Sequence, residues 1–228
     1  MVEAEEMPLA RVLGDEAAAL VVDMLRALGV EFRLAARVVD IAGDPHRPPV
    51  VRLDTHDVAA DAVLVAVGAS PNTEWLAGNG LDTSDGVACD RHCAVLGAPD
   101  VVACGDVAGW FNPLLGRRMR VEHWTNAVEQ GVFAARRLLG RHDEDGFAAL
   151  PYFWSDQADL RLQVLGATDG HDETTVVSKE DRSLLVEYRT DGALVAVAGV
   201  NAGRAVMTRR PEILDGLRSL RRTTGGSA

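Results

Sequence analysis

The pair Gly105-Asp106 carries the residue types in this chain that best suit the binding of a small molecule. It comes directly after an apolar segment, residues 101–104, which is typical of a buried strand. Glycine lets the backbone approach a ligand closely, and an ionised carboxylate accepts hydrogen bonds from hydroxyl groups. The pair therefore suits a polyol held at a strand end. A turn in which Asp106 caps the next helix is the alternative that these two residues leave open.

A helix predicted over residues 122–139 must help to position this pair. Small and polar residues recur there at spacings of three and four, and Gly140 is placed to end the helix. The residues of this narrow face are Ala127, Gln130, Gly131, Ala134, Ala135 and Leu138. The amino end, at His123 and Trp124, carries partial positive charge and unpaired amide groups. Periodicity also allows His123 to be a surface imidazole and Trp124 a core aromatic.

The segment 101–140 resembles the FAD-dependent NAD(P)H:ferredoxin reductases that serve bacterial oxygenases, such as the rubredoxin, putidaredoxin and biphenyl dioxygenase reductases. The resemblance rests on ACGDVAG at 103–109 and RVEHWTNAVEQGVFAARRLLG at 120–140. It continues in PYFWSDQ at 151–157 and LQVLG at 162–166. Two separate motif blocks in the family's order make the signal specific.

This resemblance implies roles for individual residues around a flavin. Asp106, preceded by Gly105, would bind the ribityl chain of FAD. The backbone near His123, Trp124 and Thr125 would meet the isoalloxazine ring, where a helix amino end favours the reduced, anionic flavin.

Trp154 is implied to approach the flavin or the nicotinamide from a third domain. It lies in an aromatic run, Tyr152-Phe153-Trp154, and such residues often pack in a core instead. Both readings of Trp154 stay open from the sequence.

The first third of the chain is typical of the second half of a dinucleotide-binding fold. A helix is predicted over residues 15–28, with Asp15 as its cap and Gly29 as its stop. Short strands are predicted at residues 32–35, 38–41 and 50–53. Residues 61–68 are a continuous apolar run ending in glycine, which suits a strand buried on both faces of a sheet.

Two residues of this third are implied to bind NAD. Val2-Glu3 resembles the strand end whose acidic residue binds the NAD ribose in the family. A carboxylate there repels a 2′-phosphate, so Glu3 would favour NADH over NADPH; a solvated acid is the alternative. Gly68, in GASPN at 68–72, resembles the family's glycine turn beside the nicotinamide.

Neither Gly-x-Gly-x-x-Gly nor the phosphate-loop pattern occurs in the 228 residues. The intact family has one glycine fingerprint for FAD and one for NAD, each presenting backbone amides to a pyrophosphate. The chain departs from the family here. We therefore expect it to correspond to the carboxyl-terminal portion of a reductase, with weak or absent retention of FAD by the chain alone.

The predicted fold class is α/β: partial Rossmann-like FAD/NAD(P)-binding domains of a pyridine nucleotide-disulfide oxidoreductase-type flavoprotein, plus a small α+β carboxyl-terminal domain. The last domain is predicted from strands at 160–166, 174–178, 184–188 and 194–200 and a helix over 211–221. The predicted domains are residues 1–69 (second half of the NAD-binding domain), 70–145 (carboxyl-terminal part of the FAD-binding domain) and 146–222 (the α+β domain), with a disordered tail at 223–228.

Composition limits the partners. A formal net charge of −11 argues against nonspecific binding to nucleic acid or to an anionic membrane surface. The sequence contains no visible signal peptide or long apolar stretch, so we expect a cytoplasmic protein. Three cysteines, at 89, 93 and 104, include no Cys-x-x-Cys and predict no metal site; Cys104 is expected to be a small core residue.

The function predicted from the resemblance is electron transfer from NADH through FAD to a ferredoxin-type iron–sulfur partner. No catalytic side chain is assigned, because the cofactor carries the chemistry. An acidic partner would need a basic patch, for which Arg117, Arg118 and Arg120, or Arg204, Arg209 and Arg210, are candidates; solvated surface arginines are the alternative. A complementing amino-terminal chain is a further expected partner. The alternative is a non-catalytic remnant or docking module that cannot bind FAD alone.

Overall fold

The computed structural model describes residues 1–44, 47–141 and 143–224. The chain divides into two compact units, Met1–Ala69 and Ser70–Ala228. The first unit ends where the predicted NAD-binding part ends. The two later domains, predicted to meet at 145/146, lie within the second unit.

The first unit begins with Val2, which forms a parallel bridge with Arg33. Helix α1 (Ala10–Ala27) lies between them in sequence and is interrupted at Gly14, whose backbone is not helical. The predicted start at Asp15 therefore coincides with the start of the regular part. Its buried side chains are Leu13, Ala17, Ala18, Val21, Val22 and Leu25. After Gly29 the chain forms an antiparallel sheet of β1 (Val38–Asp44), β2 (Arg47–Leu53) and β3 (Asp57–Ala59).

The apolar run at residues 61–68 is not the buried strand that its sequence predicts. It belongs to no strand, and Leu64 and Val67 are 93% and 89% exposed. A strand buried on both faces needs neighbouring strands and covering helices, and no described residue pairs with this run. The strand predicted at 32–35 is likewise reduced to the single bridge at Arg33.

The second unit contains a five-stranded sheet before its long helix. Its strands are β4 (Val87–Cys89), β5 (Ala94–Val95), β6 (Ala98–Val102), β7 (Ala108–Asn112) and β8 (Arg117–Met119), in the order β6-β5-β4-β7-β8. Because β6 is an edge strand, Val101 is exposed and the strand is not buried as predicted. Helix α2 (Trp124–Leu138) confirms the predicted helix within two residues, and Gly140 follows it with a positive φ.

A second antiparallel sheet completes this unit. Its strands are β9 (Tyr152–Gln157), β10 (Leu160–Gly166), β11 (Glu173–Glu180), β12 (Ser183–Thr190) and β13 (Ala193–Val200), in the order β11-β12-β13-β10-β9. The short helix α3 (Gly203–Thr208) and helix α4 (Arg210–Thr224) pack on it, mainly against β13. Helix α4 includes residues 223 and 224, which were predicted to belong to the tail. Residues 225–228 of that tail lie outside the described residues.

Buried hydrogen bonds in the second unit join β7 of its first sheet to the segment that precedes β9 of its second. Trp110 of β7 donates its indole N–H to the carbonyl of Phe147 at 3.0 Å. Asn112 donates its side-chain amide to the carbonyl of Ala149 at 2.8 Å. The segment that leads into β9 is thereby fastened to β7, which fixes where β9 begins relative to α2.

Candidate functional site

The turn after β6 is held by a buried glutamine on α2. Gly105 has φ +75°, a left-handed conformation that favours glycine. Its N–H donates to Oε1 of Gln130 at 2.8 Å. A Cβ on Gly105 would lie 3.5 Å from the Cβ of Ala127, so helix and turn are in close contact. The narrow face predicted from small residues is thus the face of α2 that receives this turn.

Asp106 projects from this turn and is exposed. Its carboxylate forms no hydrogen bond or ion pair with any described residue, and its backbone carbonyl accepts a hydrogen bond from Nη1 of Arg120 at 3.3 Å. No side chain caps α2, whose N-cap residue is His123. The reading of Asp106 as a helix cap is therefore wrong, and its carboxylate is free to accept hydrogen bonds from a ligand.

The amino end of α2 is open. Among the described residues, the backbone N–H groups of Trp124, Thr125 and Asn126 have no hydrogen-bond partner. Trp124 is 73% exposed and is therefore not the core aromatic of the alternative reading. Thr125 donates its hydroxyl to the carbonyl of Tyr152 at 3.1 Å, which ties this helix end to the start of β9. Free amides and the helix dipole make this end favourable for electronegative ligand atoms.

His123 is largely buried rather than a surface imidazole. Its ring centroid lies 5.1 Å from that of Phe153, and its Nδ1 is buried without a hydrogen-bond partner. Burial lowers the pKa of His123 below its ordinary value of 6.5, against the opposing charges of Asp106 and Glu122. The imidazole is thus held neutral beside the open helix end.

This lowered pKa predicts a pH dependence of stability. The folded state binds fewer protons at His123 than the unfolded state, so this contribution is fully present above pH 6.5 and is lost as pH falls from 6.5 through the lower pKa of the folded state. We expect the His123 imidazole to titrate below 6.5 in NMR spectra. We also expect His123→Gln to lose less thermal stability than the parent chain between pH 7.5 and 5.5. An equal loss of thermal stability in the parent chain and in the variant would contradict the conclusion that the buried His123 causes this pH dependence.

Trp154 and Phe153 face opposite sides of β9, since neighbouring side chains alternate along a strand. Phe153 is the one that contacts His123. Trp154 is 38% exposed, lies 5.8 Å from the ring of Tyr152, and has the guanidinium of Arg161 at 5.9 Å. Trp154 is therefore not a fully packed core residue. Sequence reasoning missed Phe153, although the alternation along a strand implied that just one of the two could face α2.

Glu3 and Gly68 belong to the first unit and are described within it. The backbone of Glu3 is bonded to Arg33 and Ala36, and its Oε1 accepts from the N–H of Glu5 at 3.1 Å. The side chain is half-buried and lines a cavity of about 650 Å³. Gly68 has φ +93°, is exposed, and has no atom of another residue near its Cβ position. Its left-handed backbone fits the predicted glycine turn.

The cysteines form no metal site among the described residues. Burial raises the pKa of Cys89 to about 11 and that of Cys93 to about 12, so both thiols stay protonated and unreactive. Cys104 is exposed, which corrects its prediction as a core residue. It follows an edge strand and lies against Gly131 of α2 without being covered.

Several of the arginines considered for a basic patch are neutralised by carboxylates. Arg120 pairs with Asp85 and Glu122. Arg117 pairs with Asp169, and Arg209 with the buried Glu187 at 2.8 Å. Arg118, Arg204 and Arg210 form no ion pair with a described residue. No helix in the described ranges has both the length and the apolar character needed to cross a membrane.

Comparison with known families matches two parts of the chain. Residues 1–131 match the model described as pyridine nucleotide-disulphide oxidoreductase, and residues 152–222 match the one described as reductase C-terminal. The chain is 39% identical over 222 residues to the 5,5'-dehydrodivanillate O-demethylase ferredoxin reductase subunit of a Sphingobium species, covering 96% of this chain and 53% of that protein. It is 37% identical over 190 residues to the anthranilate 1,2-dioxygenase system ferredoxin–NAD(+) reductase component of Burkholderia cepacia, covering 82% and 46%.

Solved structures agree with this match. The ferredoxin reductase for the CYP199A2 system from Rhodopseudomonas palustris superimposes with a TM-score of 0.82 at 32% identity, covering 91% of this chain and 52% of that one. The reductase in a covalent putidaredoxin reductase–putidaredoxin complex gives 0.86 at 26% identity, covering 94% and 52%. The chain thus spans about half the length of the curated relatives it matches.

Proposed function

The chain belongs to the pyridine nucleotide-disulphide oxidoreductase family, and we propose that it is the carboxyl-terminal part of a reductase. In this proposal the whole reductase transfers electrons from NADH through FAD to a ferredoxin-type iron–sulfur protein. The observation that carries the proposal is the exposed, unpaired carboxylate of Asp106 beside the uncapped amino end of α2.

These residues fit one half of FAD. The carboxylate of Asp106 would accept hydrogen bonds from ribityl hydroxyls, and the free amides of Trp124 and Thr125 would favour electronegative atoms of the isoalloxazine ring. Bound FAD would accept a hydride from NADH and release single electrons. The protein's part is to hold and orient: Gln130 fixes the turn, and the Thr125 hydroxyl fixes the helix end against β9.

The same residues offer no binding site for the pyrophosphate half of FAD. A pyrophosphate needs several convergent backbone amides, and the 228 residues contain no glycine loop of that kind. FAD binding therefore requires a further segment with such a loop. This division predicts that the chain alone is nearly colourless and gains little flavin on incubation with FAD.

The test compares the chain alone with the chain co-expressed with a complementing amino-terminal segment. We expect flavin absorbance and NADH-driven ferricyanide reduction only in the assembled protein and not in the chain by itself. An assembled protein without flavin would contradict the proposal and would favour the second candidate, a non-catalytic docking module. The exposed apolar side chains at Leu64 and Val67 are the observation behind that candidate.

Glu3 provides a prediction about cofactor choice. We propose that its carboxylate accepts hydrogen bonds from the NAD ribose and repels a 2′-phosphate. In the assembled reductase, Glu3→Gln is expected to raise the ratio of kcat/KM for NADPH over NADH by about tenfold, the equivalent of ~1.4 kcal/mol. Glu6→Gln is the matched control, because Glu6 is exposed and forms no ion pair with a described residue. An unchanged ratio of kcat/KM for NADPH over NADH in the Glu3 variant would contradict the proposal that Glu3 binds the NAD ribose.

For the electron acceptor, we propose an acidic iron–sulfur protein that docks on arginines that form no ion pair with a described residue. Arg118, Arg204 and Arg210 meet this condition, whereas Arg117, Arg120 and Arg209 are engaged by carboxylates. Charge pairs at such a surface act mainly on the association rate and are screened by salt.

A further inference from the structure

Arg120 lies in the segment between β8 and α2, and only 16% of its side chain is exposed. Its Nε donates a hydrogen bond to Oδ1 of Asp85 at 2.7 Å. Its Nη1 donates both to Oε1 of Glu122 and to the backbone carbonyl of Asp106. One largely buried guanidinium thus joins three separate pieces of the chain.

Residues 105–107 form the turn that carries Asp106, which we call the Asp106 turn. Gln130 accepts a hydrogen bond from the N–H of Gly105 at 2.8 Å, and Arg120 donates one to the carbonyl of Asp106 at 3.3 Å. Between these two bonded groups lie only the φ and ψ angles of Gly105 and Asp106. Those angles set the direction in which the Asp106 side chain leaves the turn. The two bonds therefore restrain, from both ends, the direction in which its carboxylate points.

The same guanidinium also restrains the start of α2. Glu122 comes one residue before His123, the N-cap residue of this helix. Because Nη1 of Arg120 bonds both to Glu122 and to the Asp106 carbonyl, it ties the Asp106 turn to the segment that enters α2. The Asp106 carboxylate and the open helix end are thereby restrained relative to each other.

The stem of Arg120 is closely packed as well. Gly86 has φ +73°, and a Cβ there would lie 2.8 Å from Cδ of Arg120 and would overlap the carbonyl oxygen of Val107. Glycine at this position leaves room for both the arginine stem and the Asp106 turn. A guanidinium that is already held in this way needs no rearrangement when a ligand binds.

We propose that Arg120 is a positioning residue for the flavin: it holds the Asp106 turn and the amino end of α2 in an arrangement that one ligand can contact at both places. The inference rests on the proposed function, which identifies that ligand as FAD, and it assigns Arg120 no contact with the cofactor. An arginine suits this role because a planar guanidinium serves several acceptors in fixed directions, whereas a lysine ammonium is a point charge on a flexible stem. Asp85 and Glu122 balance its charge.

The first measurement uses the chain alone and needs no flavin. Arg120→Met keeps an unbranched stem but removes every hydrogen bond of the guanidinium. We expect the amide of Gly105 to exchange with deuterium about tenfold faster in this variant, because the turn opens locally when its carbonyl is released. Arg117→Met is the matched control: Arg117 is also paired with a carboxylate, that of Asp169, but has no hydrogen bond to any residue described in the Asp106 turn. Equal exchange rates in Arg120→Met and the parent chain would overturn the proposal.

The second measurement is the affinity of the assembled reductase for FAD, followed by quenching of flavin fluorescence. We expect Arg120→Met to raise the dissociation constant about tenfold and Arg117→Met to leave it unchanged. Arg120→Lys keeps the charge opposite Asp85 and Glu122, so it should raise the constant only about threefold and keep the melting temperature of the parent. Parent affinity in Arg120→Met, or in Arg120→Lys where that variant alone folds, would overturn the proposal.

A double-mutant cycle with Asp106→Asn separates positioning from general stabilisation. If Arg120 acts through the Asp106 carboxylate, Arg120→Met should weaken FAD binding less than about threefold once that carboxylate has been replaced. A weakening of about tenfold in both backgrounds would mean that Arg120 acts on overall stability or touches the flavin itself, and it would overturn the proposal.

The two proposals fail separately. An assembled parent protein that holds no flavin contradicts the proposed function, and the exchange rate of the Gly105 amide in the chain alone still decides whether Arg120 holds the turn. An assembled parent protein that holds flavin, together with an Arg120→Met variant of the same affinity, contradicts the positioning role alone.

Discussion

Replacing Asp106 with asparagine is expected to weaken FAD binding by the assembled reductase about 10- to 100-fold. The carboxylate is exposed, unpaired among the described residues, and carried on a turn that Gln130 holds in place. Hydrogen bonds to a charged group contribute ~1.5–3 kcal/mol, and removing the charge forfeits most of that contribution. Asparagine keeps the size and shape of the side chain, so the turn itself should be undisturbed.

Asp100→Asn provides the control for Asp106→Asn. Asp100 is an exposed aspartate of β6 close in sequence to the turn, and it forms no ion pair with a described residue. Titration of the flavin-free protein with FAD, followed by quenching of flavin fluorescence, measures both dissociation constants. We expect the control to bind as the parent protein does. Equal affinity in the Asp106 variant would show that the ribityl chain is not held there.

Replacing Gly166 with alanine is expected to destabilise the second unit by more than ~3 kcal/mol. Gly166 ends β10 with φ +99°, a conformation that costs an L-residue ~1–2 kcal/mol. A Cβ there would also overlap the carbonyl oxygen of Val195 and lie 2.7 Å from the Cα of Ala196, both in the backbone of the adjacent strand β13. Because backbone cannot move aside as a side chain can, the sheet must open locally.

Gly170→Ala separates the two causes of this destabilisation. Gly170 also has a positive φ, +81°, but no atom lies near its Cβ position. It should therefore show the backbone strain without the overlap. The melting temperature is expected to fall by a few degrees in Gly170→Ala and by roughly 10 °C in Gly166→Ala. Equal shifts would mean that packing against β13 is unimportant.

Much of the fold could be predicted from the sequence because the relevant signals are local. Apolar alternation and turn residues predicted β10 with its exact bounds and β11 to β13 within two residues. Small residues at helical spacing predicted α2 and the face that receives the turn at Gly105. The short strands β4, β5, β7 and β8 carry too few residues for a periodic signal and were not predicted.

The sequence predicted which residues belong to the candidate site better than it predicted their exposure and contacts. Motif resemblance selected Asp106, His123 and Trp154, and the match to the two family models supports the resemblance as a whole. It did not distinguish the exposed Trp124 from the largely buried His123. Nor did it select Phe153, whose contact with His123 depends on which side of β9 faces α2.

The sequence by itself determined the family, the helices and strands with strong local patterns, and the absence of a glycine fingerprint among 228 residues. The tertiary structure alone decided that the Asp106 carboxylate is free, that α2 begins without a cap, and that the apolar run at 61–68 is uncovered. The physical reason is that propensity and periodicity act over neighbouring residues. Burial and hydrogen-bond pairing instead depend on which distant segments lie alongside, and no described strand forms backbone hydrogen bonds with residues 61–68.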